Sequence, residues 1–345
     1  MAYTTINKSS DYFNTKLYTG NNTSTSYTGV GFQPDWIWIK DRSQAADHTL
    51  IDAVRGVKKV IISNSTNAEG TDSSTQGLNS FDSDGFTLGT NSNVGSTNNT
   101  GDNYVAWNWK ANGSGSANSD GSDSSTVSAN TTAGFSIVKW TPSGGNATVG
   151  HGLGAVPEMM ISFRIDGSQD RFVYHKDIGN TKYVRLNQTT APTTDANAWN
   201  NTTPTSSVFS VGSQFGGSDS VQYCFTSVKG FSKIGSYTGN QNADGSFIYT
   251  GFKPAWLLIK NISDGDDGWL LIDNKRSAYN QTYNYLTAHA NSAEGGTGFP
   301  IDLVSNGFKI RGADISYNQS GYTYIYMAFA EAPLVGNNNI PATAR

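Results

Sequence analysis

A charge-poor chain repeats an acid, an arginine and a second acid. Asp52 and Arg55 are echoed by Asp273 and Arg276, and Asn67-Ala68-Glu69-Gly70 is echoed by Ser292-Ala293-Glu294-Gly295. A guanidinium held between carboxylates makes charge-assisted hydrogen bonds, often in pairs. Asp52, Arg55, Glu69, Asp273, Arg276 and Glu294 therefore suit either a structural charge network that pins a long loop to a sheet or a weak recognition site for a polar ligand. Only 14% of the residues are charged, so a trio kept twice has a role, and the structural network is the first expectation. Lys40 and Lys260, at the ends of matching strands, are expected to pair with these acids or to carry their charge outward on the alkyl stem. In the middle of the chain Asp177 is followed by Asn180 where an arginine is needed, so the network is expected to be lost there.

Other chemistry finds little in the sequence to carry it. His48, His151, His175 and His289 fall in no His-x-His or His-Glu-x-x-His spacing. The single cysteine, Cys224, lies in the strand-like run Val221-Gln222-Tyr223-Cys224-Phe225, where a buried inert thiol is expected. A glycosidase needs two carboxylates about 5–10 Å apart, and no pattern singles out a pair. Asp264-Gly265-Asp266-Asp267-Gly268 offers oxygens to calcium but lacks the closing glutamate of a calcium loop. A solvated turn is expected there, with calcium as the alternative and no other cofactor or metal. The chain is expected not to be an enzyme.

These residues sit in a repeat. Tyr18-Thr19-Gly20 matches Tyr237-Thr238-Gly239, Gly31-Phe32-Gln33-Pro34-Asp35-Trp36 matches Gly251-Phe252-Lys253-Pro254-Ala255-Trp256, and Asp84-Gly85-Phe86 matches Asn306-Gly307-Phe308. Ala106-Trp107 is aligned with Ala328-Phe329. A diverged middle copy aligns Trp140 with Tyr237, Pro157 with Pro254, Phe209 with Phe308 and Tyr223 with Phe329. The expected organisation is a lead-in at 1–16, a first module at 17–111, a polar linker or long loop at 112–133, a second module at 134–229, a third at 230–333 and a tail at 334–345. Sugar rings stack on exposed aromatics. Trp109 and Trp199 have no aromatic counterpart in the third copy under this alignment and are candidate platforms, whereas Trp107 is assigned to the core.

The elements that must hold these residues are strands. Trp36-Ile37-Trp38-Ile39 and Trp256-Leu257-Leu258-Ile259 are apolar on both faces. Such strands are central and covered on both sides, or pack one face on the core and the other on a neighbouring module or subunit. Tyr322, Tyr324 and Tyr326 share one face of a further strand, expected to be half-exposed or an interface. Short strands between long Gly, Ser, Thr and Asn stretches, with little helical periodicity, give an all-β fold of tandem β-sandwich modules in three diverged copies, jelly-roll or concanavalin-like in layout.

Composition excludes some partners. Lys and Arg number 23 against 27 Asp and Glu, with no cationic cluster to grip a phosphate backbone, so no nucleic acid is expected. No apolar run is long enough to span a bilayer, and Met1-Ala2-Tyr3-Thr4-Thr5 shows no signal-peptide pattern. The expectation is synthesis in a host cytoplasm without membrane insertion.

The motifs Tyr18-Thr19-Gly20-Asn21, Gly29-Val30-Gly31-Phe32-Gln33-Pro34-Asp35-Trp36-Ile37-Trp38-Ile39-Lys40, Asp84-Gly85-Phe86 and Tyr104-Val105-Ala106-Trp107 resemble an uncharacterised repeat family in virion proteins of tailed, often marine, bacteriophages. The opening Met1-Ala2-Tyr3-Thr4-Thr5-Ile6 and the closing Asn339-Ile340-Pro341-Ala342-Thr343-Ala344-Arg345 are similar to the ends of such proteins. The resemblance implies a virion component: a tail fibre or spike contributing to host-surface, including glycan, attachment, or else a capsid or head decoration with a purely structural role. A carbohydrate-active enzyme is the remaining alternative. Expected partners are other virion proteins, a host-surface glycan and further copies of the chain in a homo-oligomer, with a trimer suiting a fibre.

Overall fold

Every residue of the strand Trp36–Asp41 is buried, and its two faces are covered by different parts of the chain. Ile37 and Ile39 pack with Tyr18, Phe86 and Leu88 inside one module. Trp36 and Trp38 join a second, larger core with Ile137, Phe163, Trp256 and Phe329, drawn from the rest of the sequence. The period-two alternation of a strand makes this division possible.

The computed structural model describes residues 3–335 and 341–343. Residues 1–2, 336–340 and 344–345, which carry part of the resemblance at both ends and most of the expected tail, lie outside them. Strands make up 42% of the chain and helix 4%. The protein is all-β, with three successive two-sheet modules. The large sheet of the first module runs, in spatial order, Phe13–Thr19, Asn103–Trp109, Trp36–Asp41, Thr49–Asp52, Lys59–Ile62 and Gly70–Thr71. The third module repeats the order as Ser232–Thr238, Thr323–Pro333, Phe252–Asn261, Trp269–Asp273 and Leu286–Thr287. The middle module does so as Phe135–Trp140, Ser220–Phe225, Met159–Arg164, Phe172–His175 and Lys182–Arg185. A small antiparallel sheet covers each large one, for example Thr25–Thr28, Gly85–Leu88 and Leu78–Asp82 in the first module.

The repeated glycines have a steric reason. A Cβ on Gly85 would lie 2.0 Å from the Tyr27 carbonyl oxygen, and one on Gly307 would lie 2.1 Å from that of Ile248. The backbone of the neighbouring strand passes too close for any side chain.

Three expectations change. Residues 112–133, read as a linker or long loop, contain the strands Ser116–Asn118 and Ser125–Asn130, which extend the middle sheet beyond Phe135–Trp140. Their polar composition suits an edge that faces water on one side. The lead-in likewise contributes the start of the strand Phe13–Thr19. Register also shifts the alignment of the last strand by two residues. Trp36 stands opposite Trp109, Met159 opposite Phe225 and Trp256 opposite Phe329. Trp109, Phe225 and Phe329 are therefore the equivalent trio, and Trp107 corresponds to Tyr223 and Met327. The Ala-aromatic pair matched in sequence reflects similar composition at neighbouring positions of one strand.

The large sheets face one another around a shared aromatic centre. Trp36 packs on Trp109 and on Tyr223, each at 4.3 Å between ring centroids, and Trp109 meets Trp256 at 5.5 Å. Phe329 meets Phe225 at 6.1 Å. The strand faces that suggested a partner subunit are thus covered by sister modules of the same chain. The tyrosine face of the last strand also turns inward: Tyr324 and Tyr326 are buried in the third module's own core.

Candidate functional site

The acid–arginine trios lie in the seams between modules. Asp52 Oδ1 accepts the backbone N–H groups of Val54 and Arg55, and its Oδ2 accepts Arg55 Nε at 2.5 Å. Arg55 reaches Glu69 at 3.1 Å and the Leu50 carbonyl at 3.2 Å. The hydroxyl of Tyr223, from the middle module, donates to Asp52 Oδ2 at 2.8 Å. The third module repeats the arrangement. Asp273 accepts Arg276 Nε at 2.5 Å, Arg276 reaches Glu294 at 3.1 Å, and the Trp107 indole of the first module donates to Asp273 Oδ2 at 3.0 Å. Burial lowers the pKa of Arg55, and Asp52, Tyr223 and Glu69 together more than offset it, leaving the guanidinium above its ordinary range. For Asp273, burial pushes upward and Arg276 prevails, holding the carboxyl below the usual range. Glu69 N–H donates to the Ile165 carbonyl and Glu294 N–H to that of Arg42, so the second acid of each trio is tied across the same seam. Arg42 also forms a two-pronged pair with Glu294, at 2.9 and 2.8 Å. Each set ties its own loop to the sheet, Arg55 bridging Glu69 to the Leu50 carbonyl and Arg276 bridging Glu294 to that of Leu271, and it joins neighbouring modules as well.

In the middle module the equivalent of Asp52 is His175, which stands opposite Met159 as Asp52 stands opposite Trp36. Asp177 is not that equivalent. Ile178 occupies the arginine position and packs against the shared core, while the facing position holds Met327. His175 is buried against the Tyr326 backbone, and burial holds its pKa down to about 4. The third seam therefore lacks the network, as expected, but by substitution at other residues.

A further set of cross-seam bonds escaped sequence reasoning. His48, Arg171 and Trp269 hold one position in the three modules, and all three are buried. His48 Nε2 lies 3.1 Å from the Thr287 carbonyl, Arg171 Nε donates to that of Ile62 at 3.2 Å, and Trp269 Nε1 to that of Arg185 at 2.7 Å. Trp38 donates to His48 Nδ1 at 2.9 Å, which makes His48 Nε2 the protonated nitrogen. The modules thus contact one another in a ring: third to first, first to second, second to third. Three different side chains at one position hide the pattern from any comparison of residue types.

Lys40 and Lys260 neither reach solvent nor pair with the acids of the trios. Both are buried, and their ammonium groups donate to backbone carbonyls: Lys40 to Asp41 and Gln44, Lys260 to Thr189, Asn261 and Asp267. Burial lowers each to about 8. The two proposed aromatic platforms are also inside. Trp109, 1% exposed, belongs to the shared centre, and Trp199, 1% exposed, fills the middle module's core with its N–H on the Lys182 carbonyl. The register gives Trp109 the aromatic counterparts Phe225 and Phe329, and burial removes both tryptophans from reach of a sugar. In the acidic turn, Asp264 and Asp267 accept Asn261 Nδ2, and no group of three His, Cys, Asp or Glu side chains suited to a metal stands among the described residues.

One surface feature that distinguishes the modules lies on the small sheet of the third, and Tyr279 and Tyr283 are exposed in the same module. Phe247 is 47% and Tyr249 53% exposed, on either side of the inward Ile248. The same positions carry Ser26 and Thr28 in the first module and Thr148 and Gly150 in the middle one. Beside Tyr249 a recess of about 480 Å³ is lined by residues including Tyr3, Ser227, Lys229, Lys233 and Thr250. Tyr3 donates to the Gly251 carbonyl at 2.6 Å, and Lys229 Nζ stands 4.7 Å from the centre of its ring. Burial and the neighbouring Tyr249 phenol push Tyr3 up to about 12, so its hydroxyl is neutral near pH 7.

A family model described as a domain of unknown function, DUF7483, matches residues 8–333. The chain belongs to that family. No curated protein and no solved structure matches it. The matched span runs through all three modules, so the DUF7483 unit in this chain is the whole ring rather than one repeat. Phe247, Tyr249 and the lysines of the recess fall inside the span, and Tyr3 precedes it. No helix among the described residues is long and apolar enough to cross a membrane.

Proposed function

We propose that this chain is a non-enzymatic virion component of a tailed bacteriophage, made in the host cytoplasm, that contributes to attachment to a host-surface glycan. The virion assignment comes from the sequence resemblance. The glycan assignment rests on one observation: the third module alone exposes an aromatic pair, Phe247 and Tyr249, where its sisters carry small polar residues or glycine. Exposed rings beside hydroxyl and ammonium groups stack on sugar faces while polar groups bond the ring substituents. A cluster of solvent-facing aromatics costs solubility, and in a repeated framework it marks the copy that has a partner. Assembly with further copies of the chain now rests on the virion reading alone, because the double-faced strands that suggested it are covered internally. The test is binding of the purified full chain to susceptible bacterial cells and to a glycan array. Phe247→Ser/Tyr249→Ser is expected to lower binding at least tenfold with unchanged melting. Folded protein that binds neither cells nor glycans at high micromolar concentration overturns the reading.

The second reading, a structural head decoration, is favoured by the closed ring of buried seams, which suits a rigid particle element. A map of the particle showing the chain on the capsid, away from the tail, would favour it over attachment.

A further inference from the structure

We infer that the recess between Tyr3, Lys229, Lys233 and Tyr249 takes an acidic saccharide, a sugar ring that bears a carboxylate. This rests on the attachment reading above. Three observations converge on it. The recess, about 480 Å³, exceeds the roughly 300 Å³ at the lower end of small-molecule sites. Tyr249 presents its ring at the rim, with Phe247 further along the same strand face. Finally, the cations here lack acidic partners. Lys309 pairs with Asp244 at 2.6 Å, Arg311 with Asp302 at 3.2 Å and Lys253 with Glu331 at 3.6 Å. Among the described residues no carboxylate lies within ion-pair distance of Lys229 or Lys233. Glu158 is close to the recess, but it accepts the Ser227 hydroxyl and stands 3.8 Å from Lys176.

The combination selects the ligand. The chain carries a formal charge of −4, so two ammonium groups left without acids in one recess oppose the overall charge balance. A neutral sugar would use the rings and leave both ammoniums without an acid. A free phosphate or sulfate would use the ammoniums and leave the rings idle. A uronate- or sialate-type sugar uses both: its apolar face on Tyr249, its carboxylate between Lys229 and Lys233, and its hydroxyls on the oxygens of Tyr3 and Ser227.

The experiment probes the full chain with an array that pairs uronate- and sialate-containing oligosaccharides with their methyl esters, and with inorganic phosphate as competitor. At least one acid is expected to bind at least tenfold more tightly than its ester. Lys229→Gln/Lys233→Gln should lose that tenfold preference and retain ester binding, while Tyr249→Ser should weaken both. Melting of each variant at the wild-type temperature confirms that it folds. Equal binding of acid and ester, unchanged affinity of the lysine variant, or displacement by phosphate at concentrations matching the saccharide overturns the acidic-sugar assignment. Attachment itself still stands in those cases if Phe247→Ser/Tyr249→Ser lowers binding to cells. Binding of no glycan and no cell overturns both.

Discussion

Two of the three seams between modules are built on a buried acid–arginine network, and the third lacks it, bridged instead by Trp269 and Lys260 donating to the Arg185 and Thr189 carbonyls. Where Tyr223 and Trp107 bring a hydroxyl and an indole N–H to the seam, the facing residues are Asp52 with Arg55 and Asp273 with Arg276. Where Met327 brings no polar hydrogen, the facing residues are His175 and Ile178. The difference shows what a buried charge requires. Taking an acid and an arginine out of water is costly, and the pair persists where every remaining lone pair and N–H finds a partner. With the cross-seam donor gone, a neutral ring and an aliphatic chain of similar bulk fill the same space.

That contrast is open to direct attack. Arg55→Met strands Asp52 in a dry seam and is expected to cost about 3–5 kcal/mol, measured by denaturant unfolding. The corresponding change at the seam without the ion network, Ile178→Met, swaps one aliphatic side chain for another and should cost under about 1.5 kcal/mol. Equal losses would break the distinction. Tyr223→Phe removes only the cross-seam hydroxyl from Asp52, and a loss of about 1.5–3 kcal/mol is expected for a hydrogen bond to a charged group.

A pH titration separates the seams in another way. Histidines are held down, His175 and the half-buried His289 to about 4 by desolvation, and His48, at the seam between the first and third modules, well below its ordinary value. As pH falls through about 6.5 the unfolded chain takes up protons first, so folding weakens between about 6.5 and 4, by up to about 1.4 kcal/mol per pH unit for each histidine. His175→Gln should remove one histidine's share of that slope, read from melting at pH 7 and pH 5. An unchanged slope would show that His175 gains protons as readily in the folded state. The smallest effect concerns the rim of a charged seam: Arg42→Ala opens a partly exposed pair with Glu294, which keeps Arg276, and should cost about 1 kcal/mol.

Much of the site and fold was legible in the residues, for particular reasons. Gly20 and Gly239 of the Tyr-Thr-Gly signature, and Gly85 and Gly307 of the Asp/Asn-Gly-Phe signature, mark places where a neighbouring carbonyl leaves no room for a Cβ, so they recur in the first and third modules. The acid–arginine spacing was visible because the two charges bond through one turn of backbone at the end of a strand. By contrast, Trp109 and Trp199 looked like ligand platforms because an aromatic residue reads alike in a core and on a surface. Phe247 and Tyr249, exposed on the third module, carry nothing in residue type that separates them from buried strand aromatics.

The amino-acid order alone determined the strands, their three-fold recurrence and their two apolar faces, because steric and period-two patterns act between near neighbours in the chain. Only the tertiary structure decided which sister module covers each face, that His48, Arg171 and Trp269 perform one task, and which aromatic rings meet water. Those outcomes depend on surfaces brought together from distant segments, where any side chain with a suitable shape and one N–H can serve, so residue type carries no signature of the role.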